Sequence, residues 1–215
     1  MNIAILLAAG VSSRFNSKIH KVLYKINNKP IIKYSTDILC EYLDKIIIVA
    51  NSTNDKPIHK IFAKNKKIQL VINNVDTRLD SIKAGLDSIK PTENISNLLI
   101  HDAARPYITP QMIETLLVSS EQYQFNQYCL VLNNGLVQKT TAGYDTVDRA
   151  KYLELCTPQI TEYHLFNFLF RKYIYPNNRL SCEILPLLNK FNIQHNLIEG
   201  NARHLHKITT LEDIQ

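Results

Sequence analysis

Short apolar runs alternate with longer amphipathic stretches along most of this chain. Residues 3–7 and 45–50 are almost wholly apolar, and the segment 46–49 shows no polar alternation. Such runs are typical of strands buried on both faces, as in a parallel sheet. Four further runs predict strands over residues 68–72, 98–101, 128–132 and 195–198.

The stretches between these runs have apolar residues at helical spacing. They predict helices over residues 31–41, 56–64, 79–89, 110–119, 162–171 and 181–190. Strand and helix in alternation indicate an α/β fold with a doubly wound, mostly parallel sheet. Ligands of such sheets bind beyond the carboxyl ends of the strands. We expect one domain over residues 1–215.

The segment 133–150 breaks this alternation. Asn133-Asn134-Gly135 and the residues 141–145 are turn-like, and they flank the run 136–141. The pattern predicts a β-hairpin arm around residues 133–152 that protrudes from the sheet.

Composition and charge narrow the choice of partners. The 215 residues are 45% hydrophobic and 20% charged, as in an ordinary globular protein. The net charge of +6 favours an anionic partner. The Lys and Arg residues are scattered along the sequence, so we do not expect nucleic acid to be that partner. The four cysteines lie far apart, which is typical of free thiols and not of a metal or disulfide framework.

The apolar runs are also too short for a membrane span. No Lys or Arg precedes the first of them, so it does not have the pattern of a secretory signal. We expect a cytoplasmic protein without a membrane partner.

The first candidate site follows the first predicted strand. Ala8-Ala9-Gly10 leads to Arg14 and then to Lys21. Small residues let backbone N–H groups approach a phosphate, and the two cations could offset charge on an attacked phosphorus. Neither of the common glycine-rich nucleotide motifs occurs. The alternative is an ordinary strand-turn-helix with solvated cations.

A second candidate lies at the start of the helix predicted over 79–89. Asp76, Arg78 and Ser81 lie at or near its first turn, where hydroxyl and N–H groups could contact a base edge. The alternative is simple helix capping by Asp76 or Thr77.

A third candidate follows the strand predicted over 98–101. Asp102 at a strand's carboxyl end is well placed to hold Mg²⁺, and Arg105 could pair with Asp102 or bind a phosphate. The alternative is a structural ion pair between the two residues. Arg149 and Lys207 occur in two later motifs that are weak by themselves, where solvated cations are the default interpretation.

Taken in order, these motifs resemble those of a known family. The chain contains LLAAG-x-x-x-R and a following Lys, D-x-R-x-x-S, HDAARP, DR with a later TPQ, and KIT with a later ED. This series, from residue 3 to residue 213, resembles the 2-C-methyl-D-erythritol 4-phosphate cytidylyltransferases and their ribitol 5-phosphate relatives. Ala8-Ala9-Gly10 and Ala103-Ala104 favour the methylerythritol branch.

The resemblance implies a Rossmann-like nucleotidyltransferase fold and a reaction. CTP and a polyol phosphate would give a CDP-polyol and pyrophosphate with the help of Mg²⁺, in the synthesis of isoprenoid precursors. The alternatives are an enzyme for another polyol phosphate, such as ribitol 5-phosphate for a surface polymer, or a nucleotide-binding homologue without activity.

The resemblance also implies roles for individual residues. It assigns catalysis to Arg14, Lys21 and Lys207. The residues implied in nucleotide binding are Ala8, Ala9, Gly10, Asp76, Arg78 and Ser81. Those implied in substrate binding are Asp102, Arg105, Arg149 and Lys207, with Asp102 also near the metal. The arm would reach across a homodimer, so that Arg149 acts in the partner's site.

Some positions depart from the family pattern. Val11-Ser12-Ser13 leaves Gly10 as the sole glycine of the first loop, and Asn74 and Val75 stand where two glycines usually precede Asp76. A side chain at these two positions is expected to crowd the approach of a base to the backbone.

Overall fold

The computed structural model describes residues 1–15, 17, 19–75, 77–176 and 184–214. Its strands are β1 Asn2–Leu7, β2 Lys25–Ile26, β3 Lys29–Pro30, β4 Lys45–Ala50, β5 Ile68–Ile72, β6 Asn97–Asp102, β7 Phe125–Val131, β8 Leu136–Thr140, β9 Gly143–Val147, β10 Leu153–Glu162 and β11 His195–Glu199. Its α-helices are α1 Ile31–Tyr42, α2 Asp55–Phe62, α3 Arg78–Asp87, α4 Pro110–Ser119, α5 Tyr163–Leu169 and α6 Leu185–Lys190.

Seven strands form the central sheet in the order β11-β7-β10-β6-β1-β4-β5. Each neighbouring pair is parallel except those that involve β10, which runs antiparallel to both β6 and β7. The prediction of a doubly wound, mostly parallel sheet is therefore confirmed. The carboxyl ends of β1, β4 and β6 lie together at one edge of the sheet.

The apolar runs are buried because helices cover both faces of the sheet. Alternate residues of β1 enter two separate cores: Ala4 and Leu6 pack on one side, and Ile3 and Ile5 on the other. This is the physical reason that β1 lacks the polar alternation of a half-exposed strand.

The strand β10 is absent from the sequence prediction, and β7 begins three residues before the predicted start at residue 128. Pro158 lies within β10, and the pairing with β7 shifts between Cys156 and Gln159. Proline removes a donor from the ladder and usually argues against a strand. In β10 the irregular pairing between Cys156 and Gln159 accommodates the proline. This pairing depends on the neighbouring strand, so the local sequence does not predict it.

The predicted arm is present as the two-stranded hairpin β8–β9, a sheet of its own. Its register runs from Leu136 opposite Val147 to Thr140 opposite Gly143. The helix predicted over 181–190 is described from Leu185 onwards, and residues 181–183 lie outside the described part of the chain. None of the helices in the described ranges has the length and apolar character that a membrane span requires.

Helix α3 lies unusually close to the sheet. A Cβ atom on Gly85 would come within 2.8 Å of Cδ1 of Ile5, and within 2.9 Å of its Cγ2. Glycine therefore permits the close approach of α3 to β1. The approach brings the first turn of α3 beside the carboxyl end of β1.

Candidate active site: a cationic cleft at the carboxyl edge of the sheet

A cleft of about 310 Å³ lies beyond the carboxyl ends of β1 and β6 and beside the first turn of α3. This is the edge at which a doubly wound sheet is expected to bind its ligands. Nine of the residues singled out from the sequence line it: Ala8, Ala9, Gly10, Arg14, Lys21, Arg78, Ser81, Asp102 and Lys207.

Arg14 is held at the cleft by its neighbour Phe15. The loop after β1 bends at Ser12, whose φ of 57° lies in the region that favours glycine. A 3₁₀ turn, Ser13–Phe15, follows. Phe15 is fully buried and packs edge-on against Tyr24, with 5.4 Å between ring centroids. The anchored ring fixes the turn and leaves Arg14 at the cleft wall.

Lys21 begins a second 3₁₀ turn, and the next residue, Val22, is buried in the core. Burial lowers the pKa of Lys21, and the positive charges of Lys207 and Arg14 lower it further. Three cations thus converge on one small volume. An anion that binds among them would relieve their mutual repulsion.

The first turn of α3 presents Ser81 to the cleft. Thr77 caps the helix, with its Oγ1 accepting the N–H of Asp80 at 3.0 Å. The Ser81 hydroxyl donates to the Thr77 carbonyl at 3.1 Å and accepts from Nδ2 of Asn73 at 3.2 Å. The hydroxyl is therefore fixed in orientation. Asp76, singled out from the sequence, lies outside the described residues.

The expected crowding of a base by the side chains of Asn74 and Val75 stays a prediction. Neither residue lines the described cleft. Oδ1 of Asn74 accepts the N–H of Ser52 at 2.9 Å, and the Val75 side chain is more than half exposed.

Asp102 is the hub of the cleft's charges. Its Oδ2 lies 2.8 Å from Nζ of Lys207, and its Oδ1 lies 3.4 Å from Nε of Arg78. Nε of Arg105 is 3.7 Å from Oδ2. Burial alone would raise the pKa of Asp102, but these cations outweigh it and hold the pKa well below its usual range. The carboxylate is therefore charged at neutral pH.

Arg105 lies behind Asp102 and not at the wall of the described cleft. Its guanidinium is buried and donates to the carbonyl of Leu205. Burial lowers the pKa of His101 to about 4, so this imidazole is neutral at pH 7, and its Nε2 lies 3.0 Å from the Arg105 carbonyl. These positions support the structural ion pair with Asp102, and the substrate contact implied by the resemblance stays a prediction.

Lys207 comes from a distant part of the sequence. The segment that carries it is fixed by Ile208, which is fully buried and donates its N–H to the Ala104 carbonyl at 2.9 Å.

Arg149 lies elsewhere, at the base of the hairpin arm, where it is exposed and donates to the carbonyl of Asn133. It does not line the described cleft of its own chain.

Sequence reasoning missed several polar residues of the cleft. Ser12, Ser13, Thr77 and Thr209 line it as well. Thr77 is the N-cap residue of α3, in agreement with the capping that the sequence offers as an alternative. Thr209 is the last residue of the KIT motif, but the resemblance gave it no role, and nothing in its local pattern indicates a position at the cleft.

Four cations and one carboxylate line the cleft within the described residues, a net excess of three positive charges. A loop of small residues at the end of β1 completes the cleft. The fold and the cleft together define a nucleotide-binding protein of the α/β class. The family model for 2-C-methyl-D-erythritol 4-phosphate cytidylyltransferase matches residues 2–215, and the chain belongs to that family.

Individual relatives agree with this assignment. A protein of Caldicellulosiruptor bescii that bears the family's name is 30% identical over 215 residues, which span 98% of this chain and 93% of that protein. One from Clostridium botulinum with the same name is 29% identical, over 99% of this chain and 94% of its own length. These matches support the methylerythritol branch over the ribitol branch.

Solved structures share the fold over nearly the whole chain. The crystal structure of 4-diphosphocytidyl-2C-methyl-D-erythritol synthase from Anaerococcus prevotii has a TM-score of 0.83 at 21% identity, over 99% of this chain and 94% of that one. The Francisella tularensis 2-C-methyl-D-erythritol 4-phosphate cytidylyltransferase has a TM-score of 0.77 at 24% identity, over 99% and 96%.

Proposed function

We propose that this protein joins CTP and 2-C-methyl-D-erythritol 4-phosphate to give the CDP-polyol and pyrophosphate, in the synthesis of isoprenoid precursors. The observation that carries the proposal is the convergence of Arg14, Lys21, Arg78 and Lys207 on the small-residue loop after β1, in a chain that matches the family along its length. Cytidylyl transfer requires such a site because both substrates are phosphorylated.

The chemistry is an in-line displacement. A phosphate oxygen of the polyol phosphate attacks the α-phosphorus of CTP, and a new P–O bond forms as the bond to the bridging oxygen breaks. The electron pair leaves on pyrophosphate. The attacking oxygen is already ionised at neutral pH, so no general base and no covalent enzyme intermediate are needed. Positioning and charge stabilisation by Arg14 and Lys21 supply the catalysis.

The residues present fit a Mg²⁺ ion that is held mainly by the substrate. Asp102 is the one carboxylate of the described cleft, and within the described residues no group of three acidic, His or Cys side chains could form a protein cage. Mg²⁺ commonly uses one or two carboxylates together with substrate phosphates and water. We propose that Asp102 holds it, and the bound ion would offset negative charge on the phosphates.

The wall formed by Ala8, Ala9 and Ser81 is proposed to contact the cytosine. The fixed Ser81 hydroxyl offers a hydrogen bond to a base edge. Arg14, Lys21 and Lys207 are then available to bind the phosphates of CTP and the polyol phosphate.

The cytoplasmic location expected from the sequence stays a prediction.

We propose that Arg149 serves the site of a second copy. It lies on an exposed arm, outside the described cleft of its own chain, and exposed apolar residues Val137, Tyr144 and Leu153 lie on or beside the arm. An arm with such a surface suits exchange between the two copies of a symmetric dimer.

Coexpression of differently tagged Arg149→Ala and Lys21→Ala chains tests this arrangement. Each variant alone is expected to be nearly inactive. A mixed dimer would contain one site with Lys21 of one copy and Arg149 of the other, so random assembly restores about a quarter of the wild-type activity. Activity no higher than the mean of the two single variants would place Arg149 in its own chain's site or outside any site.

Pyrophosphate release tests the reaction itself. The protein is incubated with CTP and Mg²⁺ and with 2-C-methyl-D-erythritol 4-phosphate, ribitol 5-phosphate or no acceptor. Release is expected with the first acceptor and not with the others. Release with ribitol 5-phosphate alone would move the protein to the other branch, and silence with both acceptors in folded protein would reject the proposed reaction.

A further inference from the structure

Three polar side chains lie behind the loop that follows β1. Nδ2 of Asn54 donates to the Ala8 carbonyl at 2.9 Å, and Nδ2 of Asn51 donates to the Ala9 carbonyl at 2.5 Å. Nε2 of His20 lies 2.8 Å from the Gly10 carbonyl. Three consecutive carbonyls are thus held by three side chains, none of which lines the cleft. The hydroxyl of Ser12, which does line it, also donates to the Gly10 carbonyl, but over a longer 3.4 Å.

The direction of these carbonyls sets the direction of the backbone N–H groups. In a trans peptide the C=O of one residue and the N–H of the next point in opposite directions. With the carbonyls of residues 8–10 turned away from the cleft, the N–H groups of Ala9, Gly10 and Val11 are turned towards it. No acceptor within the described residues engages these three N–H groups.

The side chains behind the loop form one network with matched donors and acceptors. Oδ1 of Asn54 accepts the N–H of Asn51 at 3.0 Å, and Oδ1 of Asn51 accepts the N–H and the hydroxyl of Thr53. Nδ2 of Asn54 also lies 3.3 Å from Nδ1 and 3.2 Å from Nε2 of the His20 ring. A proton on Nε2 of His20 lets the ring donate to Gly10 and accept from Asn54.

Asn54 shows that the network serves the loop and not its own helix. It is the N-cap residue of α2, a position where an Asn side chain usually accepts a backbone N–H of the helix, yet it makes no such bond. Asn54 is fully buried and directs its amide to Ala8 and His20. Helix α2 therefore lacks the stabilising side-chain cap that Asn usually provides, and the Asn54 side chain contacts the loop instead.

From this geometry we propose that Asn51, Asn54 and His20 are positioning residues that aim three backbone N–H groups into the cleft as a cradle for the phosphates of the nucleotide. Consecutive N–H groups in a concave turn are a known arrangement for binding anions. The inference rests on the proposed function in taking the ligand to be a triphosphate. Its test uses a probe that needs no turnover.

Asn54→Asp is the sharpest substitution. It keeps nearly the same shape and the acceptor for Asn51, but it replaces the donor towards Ala8 with an oxygen that repels the carbonyl. Asn126→Asp is the matched control, because Asn126 is equally buried and donates to the Tyr123 carbonyl at 3.0 Å, at the far end of the sheet. Both changes bury a carboxyl group and both are expected to lower Tm.

Calorimetry with inorganic triphosphate, CTP and cytidine separates the two variants. We expect Asn54→Asp to weaken binding of triphosphate and CTP roughly tenfold or more, and Asn126→Asp to change it less than about twofold. Cytidine affinity should stay the same in both. Equal triphosphate affinity in the two variants, or no binding of triphosphate by the wild-type protein, would overturn the proposal.

His20 supplies a second test if Asn54→Asp does not fold. His20→Gln can still donate to the Gly10 carbonyl, whereas His20→Ala cannot. We expect the Gln variant to bind triphosphate nearly as well as the wild type and the Ala variant to lose affinity severalfold. Equal affinity in these two variants would remove His20 from the proposal. Normal triphosphate binding without pyrophosphate release would reject the proposed function alone.

Discussion

Lys21→Ala is expected to lower kcat roughly 100- to 1,000-fold while CTP affinity changes by less than about tenfold. The side chain lies among Arg14 and Lys207, and several cations remain to bind the ground-state nucleotide. Lys21 is assigned to the charge that develops during transfer. An interaction made mainly in the transition state affects turnover more than binding.

The fold should tolerate the loss of Lys21. Neighbouring positive charges and burial already disfavour its charged form, so its removal relieves repulsion. We expect Tm to stay the same or to rise slightly. Lys25→Ala is the control, since Lys25 is exposed on β2 and does not line the described cleft. Equal losses of CTP affinity and turnover in Lys21→Ala would contradict the assignment.

Asp102→Asn is expected to reduce turnover roughly 100-fold or more without weakening CTP binding measured in the absence of metal. The change removes the carboxylate on which Lys207, Arg78 and Arg105 converge. The cleft then becomes more positive, which favours the anionic nucleotide, but its cations lose the group that orients them. Markedly weaker metal-free CTP binding would show that Asp102 mainly shapes the nucleotide site.

The stability effect of Asp102→Asn should depend on pH in a defined sense. The pKa of Asp102 is depressed in the folded protein, so its ionisation stabilises the fold above about pH 4, the ordinary range of an aspartate in an unfolded chain. The difference in unfolding free energy between wild type and variant should be about 1–3 kcal/mol at pH 7, because Arg78 and Lys207 are partly exposed. It should shrink as the pH falls below about 4.

Asp87→Asn is the control for this pH dependence. Asp87 also contacts two cations, Lys83 and Arg171, but on an exposed surface. Its substitution should change stability by less than about 1 kcal/mol and leave turnover intact. A pH-independent stability difference for Asp102→Asn, measured by chemical unfolding at pH 3–8, would contradict the buried ion cluster.

The sequence predicted well those features that depend on neighbouring residues. The runs at β4 and β5 match the structure to the residue, because short, predominantly apolar segments flanked by polar residues have few alternatives to a strand. Turn residues likewise predicted the hairpin arm. The strand β10 escaped because Pro158 is locally unfavourable in a strand, and only pairing with both neighbours stabilises it.

By itself, the sequence determined the α/β class, the arm and most of the residues at the cleft, since motifs and periodicity are local properties. The tertiary structure decided what these residues do to each other. In the tertiary structure Lys207 forms an ion pair with Asp102, and Arg105 lies behind that carboxylate, where it donates to the Leu205 carbonyl. The tertiary structure also brought Asn54 beneath Ala8, across 46 residues of chain. Such contacts depend on how the strands order themselves in the sheet, and no local pattern encodes that order.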